Sequence, residues 1–123
     1  MVAKILSSSY IGIESYILEV EADIMAGLPS FNIVGLADVA ISESKERVRA
    51  AVKNSGYEIP ARRIVINLSP AGIRKEGASF DLSIAVGILA SLGEIENKNL
   101  EKYIVLGELS LNGNIRKIDG AIN

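Results

Sequence analysis

Hydrophobic and polar positions alternate cleanly from Ser15 to Ile24. Tyr16, Leu18, Val20, Ala22 and Ile24 fall on one side, with Glu19, Glu21 and Asp23 on the other. A period of two is the signature of a half-buried β-strand, so the three acids belong to its solvent face and carry no metal-site reading. Ala3 to Ser8 predicts a partner strand ending in a serine turn. After the break at Gly27-Leu28-Pro29, Ser30 to Val34 reads as extended again. The pattern therefore predicts three opening strands, paired antiparallel.

The period then changes. Asp38 stands where a helix N-cap is expected, and Ile41, Val48 and Val52 recur at helical spacing until Asn54, Ser55 and Gly56 stop the run. This predicts a helix over Val39–Ser55. Arg62 to Leu68, rich in β-branched residues and bounded by Pro60 and Pro70, predicts a central strand. Ser79 is placed to cap a second helix over Phe80–Leu92, apolar on nearly every face and hence buried, that ends at Gly93. Tyr103 to Leu111, the Asn112-Gly113 pair and Asn114 to Ile118 predict a hairpin, since that dipeptide tolerates the positive φ of a tight turn. The order is β-β-β-α-β-α-β-β: an α+β fold with a mixed four-to-six-stranded sheet and two main helices packed on it.

Composition narrows the chemistry. The 123 residues are 49% hydrophobic and 23% charged, enough for a folded core, and they form one domain without linker or repeat. With no cysteine and no histidine, the chain has no thiol nucleophile, no imidazole base, no Ser-His-Asp triad and no zinc finger. The longest charge-free stretch, Ile24 to Ala37, is interrupted by Pro29 and two glycines and falls short of the roughly 18 residues that span a bilayer. No signal-peptide pattern opens the chain. The expectation is a cytoplasmic protein without membrane contact. Asp119-Gly120 starts another helix that three further residues cannot complete, so the chain is expected to be a piece of a longer polypeptide.

A net charge of −2 hides a strong asymmetry. Residues 1–44 carry Lys4 against six acids, whereas residues 45–75 carry eight cations against Glu46 and Glu58. Lys45, Arg49 and Lys53 recur every fourth residue on the first helix and form one basic stripe beside its apolar face, a footprint for a phosphate backbone or a solvated helix face. No aromatic residue interleaves with these cations in the sequence. The connection from Pro70 to Ser79 holds Arg74 and Lys75, with backbone N–H groups around Gly77 to Ser79 at the helix start, and reads either as an anion-binding loop or as an ordinary strand-to-helix connection with Ser79 as its cap. None of the seven lysines follows a glycine, so a Walker nucleotide loop is excluded and the chain itself is expected to bind no cofactor.

Two segments carry a resemblance: Asn67-Leu68-Ser69-Pro70-Ala71-Gly72-Ile73-Arg74-Lys75-Glu76-Gly77-Ala78-Ser79-Phe80-Asp81-Leu82, and Gly107-Glu108-Leu109-Ser110-Leu111-Asn112-Gly113-Asn114-Ile115-Arg116. With the Gly27–Leu36 run and Glu43-Ser44-Lys45-Glu46-Arg47-Val48-Arg49, they resemble the N-terminal domain of the magnesium-chelatase-like ComM/YifB family over essentially the whole chain. The same two segments are similar, more distantly, to the proteolytic domain of Lon and the C-terminal domain of the recombination protein RadA, which implies a Lon-like α+β fold. By that similarity Ser79 takes the place of the Lon nucleophile, but the matching lysine position lies beyond Asn123, and Phe80 and Asp81 are expected to crowd the place of substrate.

The family resemblance implies an accessory domain of an AAA+ ATPase whose ATP and Mg²⁺ are bound elsewhere. It also implies a homo-hexameric motor for branch migration, DNA recombination and natural transformation. The partners expected on this reading are DNA, the chain's own AAA+ module and neighbouring subunits, and the expected contact residues are Lys45, Arg49, Lys53, Arg74, Lys75, Gly77 and Ser79. The competing readings are a purely structural ring-assembly module and a serine-lysine peptidase.

Overall fold

The alternation of Leu18, Val20, Ala22 and Ile24 works because each of these side chains finds the same apolar layer, and all four are buried. The computed structural model describes residues 2–11, 14–36, 38–69, 77–96 and 98–116. Strands β1 (Ala3–Ile11) and β2 (Glu14–Met25) form an antiparallel ladder in register from Ala3↔Ala22 to Ile11↔Glu14. β1 thus runs past the serine turn expected near Ser8. Strand β3 (Ser30–Val34) departs further from expectation, because it does not pair with β2 at all.

Helix α1 (Asp38–Asn54) carries the chain over the sheet so that β4 (Arg63–Ser69) enters between β2 and β3. The sheet order is β1-β2-β4-β3, with β4 antiparallel to β2 and parallel to β3. Met25 and Ser30 flank the same residue, Arg63. Parallel neighbours need a long crossover, and α1 supplies it. The alternating pattern of β3 specifies which face is buried and is silent on which neighbour it takes.

Ile64, Ile66 and Leu68 of β4, with Phe31 and Ile33 of β3, complete the inner face. Both α1 and α2 (Asp81–Ser91) lie on this face and make a two-layer α/β core. At Gly87 a Cβ would come 3.1 Å from the Ala22 Cβ, so the missing side chain is what lets α2 approach β2. Both helices stop as their sequences predict. Gly56 (φ +93°) and Gly93 (φ +80°) adopt the left-handed conformation, and the hydrogen bonds Tyr57 N–H to Val52 O and Glu94 N–H to Leu89 O close Schellman motifs.

Ser79 does not cap α2. A 3₁₀ turn over Gly77–Phe80 leads into the helix, Phe80 stands at the cap position, and no side chain caps it. Nor does Phe80 crowd a substrate position, because it is completely buried in the core. A side chain of that size contributes roughly 1.5–3 kcal/mol by burial.

The predicted terminal hairpin is present but short, with β5 (Glu108–Leu109) against β6 (Ile115–Arg116). Its turn spans Ser110 to Asn114 rather than two residues. Gly113 takes positive φ while, among the described residues, no asparagine does, and the Asn112 side chain instead accepts from the Ser110 hydroxyl and the Asn114 N–H. Tyr103 to Gly107, expected as strand, holds only an isolated parallel bridge from Ile104 to Leu6. Lys117 and Ile118 of that expectation, with Asp119 and Gly120, lie outside the described residues.

Candidate nucleic-acid interface

α1 amphipathicity decides where its cations go. Ser44, Val48, Ala51 and Val52 are buried against the sheet and α2, which leaves Lys45, Arg49 and Lys53 along one flank. The structure brings these three together as one stripe, at a rise of ~6 Å per step along the helix. Lys45 Nζ lies 5.9 Å and Arg49 Cζ 5.3 Å from the ring centroid of Phe31. Phe31 belongs to the edge strand β3 and is 4% exposed. The Lys45 ammonium and the Arg49 guanidinium thus both stand over the ring face, within cation–π range. Among the described residues no carboxylate lies within ion-pairing distance of Lys45, Arg49 or Lys53.

The other flank of α1 is built differently. Asp81, the one charge in α2, has no exposed surface, and it receives Arg47 Nε at 2.5 Å, Arg47 Nη2 at 3.2 Å, Ser44 Oγ at 2.9 Å and the Leu109 N–H at 3.2 Å. The hydrogen bond to Asp81, followed by charge attraction from Asp81, Glu108 and Glu43, holds the Arg47 guanidinium above its ordinary pKa against the opposing effect of burial. This cluster ties α1, α2 and β5 into one body. A lone acid opening a helix apolar on every other face was its signal in the sequence, because such a charge must be paired once buried.

The remaining expected residues divide. Arg74 and Lys75 lie outside the described residues. Gly77 and Ser79 sit in the 3₁₀ turn ahead of α2, where the Ser79 carbonyl accepts from the Gly107 N–H and the Gly107 carbonyl accepts from the Leu82 N–H. The segment before β5 thus engages the start of α2. On the outer sheet face, Glu19 pairs with Lys4 at 3.9 Å and Glu21 accepts from Asn67 Nδ2 at 3.2 Å. Among the described residues no helix is long and apolar enough to cross a membrane.

Sequence reasoning missed two aromatic contributions to the basic flank. Phe31 is remote in sequence from the cations it supports. Tyr57 stands four residues after Lys53, past the helix end, and lines an open cavity of about 730 Å³ together with Arg49, Lys53 and Arg62. A search for aromatics on the helix itself passes over both.

Residues 20–123 match the family described as subunit ChlI of Mg-chelatase. Among curated proteins, the chain is similar to YifB of Salmonella typhimurium (44% identical over 113 residues) and YifB of Escherichia coli (42% over 113 residues), each alignment covering 92% of this chain and 22% of the relative. It is also similar to the competence protein ComM of Haemophilus influenzae, 37% identical over 120 residues, covering 98% of this chain and 24% of the relative. The chain thus spans about a quarter of the length of these relatives.

Proposed function

Because this chain belongs to the family of the ChlI subunit of Mg-chelatase, with YifB and ComM among its relatives, we propose that it is an accessory DNA-contacting domain of a larger AAA+ ATPase. On this reading the whole protein acts in DNA recombination and branch migration in the cytoplasm. Its ATP and Mg²⁺ belong to the AAA+ module, which forms a homo-hexamer. The word "competence" in the name of the Haemophilus relative supports a role in natural transformation.

One observation carries the DNA contact. Lys45 and Arg49 are set over Phe31 with Lys53 in line, and none of the three is neutralised by a described carboxylate. Three phosphate contacts give a log–log salt slope of about 2–3, so affinity for DNA falls roughly 20- to 40-fold between 50 and 200 mM salt. Fluorescence anisotropy on labelled DNA measures it. The triple variant Lys45→Glu, Arg49→Glu, Lys53→Glu is expected to abolish binding, and retention of wild-type affinity by that variant would overturn the interface.

A further inference from the structure

At the C-terminal end of α1, the loop of residues 55–62 folds back against the starts of β3 and β4 and leaves the open cavity of about 730 Å³. That volume lies in the usual range for small-molecule sites, roughly 300–1,000 Å³. Its lining combines two kinds of chemistry. Arg49, Lys53 and Arg62 supply three positive charges against one lining acid, Glu58, while Tyr57 and Pro60 supply flat apolar surface. Among the described residues Arg62, like Arg49 and Lys53, has no carboxylate partner within ion-pairing distance. Arg49 is already positioned by Phe31, which lowers the ordering cost of using it.

A cavity lined both by cations and by an aromatic ring with a proline suits a ligand that combines an anionic group with a flat apolar one. Two of the three cations also belong to the stripe, so a phosphate backbone lying on Lys45 and Arg49 reaches the cavity without a gap. We infer that the cavity holds one unpaired nucleoside phosphate unit, its base against Tyr57 and Pro60 and its phosphate among Arg49, Lys53 and Arg62. The inference rests on the DNA reading above and deepens it. A base stacked and paired in a duplex cannot enter without being extruded, so the interface discriminates in favour of single strands.

The test compares a labelled oligo(dT) with a duplex of the same length by anisotropy at fixed low salt. The wild-type chain is expected to prefer the single strand by about tenfold, the scale of one base stacked on an aromatic ring. Tyr57→Ala brings the two affinities close to parity with less than twofold change for duplex, and Tyr57→Phe keeps the preference. Tyr57 is half-buried, so the exposed Arg62→Ala serves as a second variant safe for folding, and it too is expected to reduce the preference.

Equal affinities in the wild type, or a preference that survives both variants, overturn the cavity assignment. Loss of binding in the Lys45, Arg49, Lys53 triple variant still upholds the interface in that event. If the wild-type chain binds no DNA, the proposed function falls, and titration with thymidine monophosphate followed by amide chemical shifts decides the cavity. Saturable shifts within residues 56–62 keep it as a nucleoside phosphate site fed by free nucleotide. No shifts there overturn it as well.

Discussion

Arg47 and Arg49 carry the same guanidinium two residues apart on α1, and the fold uses them in opposite ways. Arg47 turns toward α2 and forms a two-point contact with a fully buried carboxylate. Arg49 turns toward the β3 edge, rests on Phe31 and keeps its charge unpaired among the described residues. The difference teaches that a count of basic residues does not locate a binding surface. A cation matched to a desolvated acid holds the fold together, whereas a cation set over an aromatic ring without an acid partner keeps its charge for a ligand.

The largest effect expected on breaking this contrast comes from the buried flank. Arg47→Met leaves Asp81 buried and unneutralised and is expected to cost about 3 kcal/mol, the low end for such a pair because the Arg47 side chain keeps 20% exposure. Chemical denaturation measures the loss, which corresponds to a melting temperature lower by on the order of 10 °C. Adding Asp81→Leu to that variant should recover part of the loss, but only part, because the Leu109 N–H and the Ser44 hydroxyl remain without their acceptor.

The same pair has a defined pH signature. A guanidinium held above its ordinary value contributes stability that is complete below the ordinary guanidinium range and is lost only in strongly alkaline solution, as the pH passes the folded-state value. The stability difference between wild type and the Arg47→Met, Asp81→Leu double variant, in which no buried carboxylate is left to titrate at this place, is therefore expected to stay flat from about pH 6 to about pH 10 in parallel urea titrations. A slope in that window would show that the pair is not held as described.

On the exposed flank the expectation reverses. Replacing Lys45, Arg49 and Lys53 together by alanine is expected to change stability by only about 1 kcal/mol, because Arg49 and Lys53 are exposed, none of the three has an acid partner among the described residues, and a cation–π contact contributes little. The log–log salt slope of DNA binding, in contrast, drops by about 2–3. The smallest effect belongs to the ring beneath the cations. Phe31→Leu keeps an apolar side chain in the core but removes the face on which Lys45 and Arg49 rest, and is expected to weaken DNA binding about two- to threefold in the same assay. A Phe31→Leu variant with unchanged affinity would show that the ring supports the fold alone.

Much of this architecture was legible along the chain. The β2 strand follows from its period of two, the ends of α1 and α2 from Gly56 and Gly93, and the burial of α2 from its apolar faces. The stripe of Lys45, Arg49 and Lys53 was legible too, because residues four apart on a helix are neighbours by geometry alone. The cap assigned to Ser79 failed because the segment before β5 bonds to the start of α2, and Asp81 is already committed to Arg47, Ser44 and Leu109. The two-residue turn at Asn112-Gly113 failed because the Asn112 side chain holds Ser110 and Asn114 in a longer loop.

What the sequence determined by itself is local: which residues form helix or strand, which face each buries, and which cations share a flank. Those properties depend on side chains a few residues apart and on the fixed geometry of the two regular backbones. Only the tertiary structure decided that β3 joins β4 rather than β2, that Arg47 leaves the basic cluster for Asp81, and that Phe31 and Tyr57 come beside Arg49 and Lys53. Each of these is a choice among partners distant in sequence. It is settled by the packing of α1 and α2 on one sheet face, and no period in the chain encodes it.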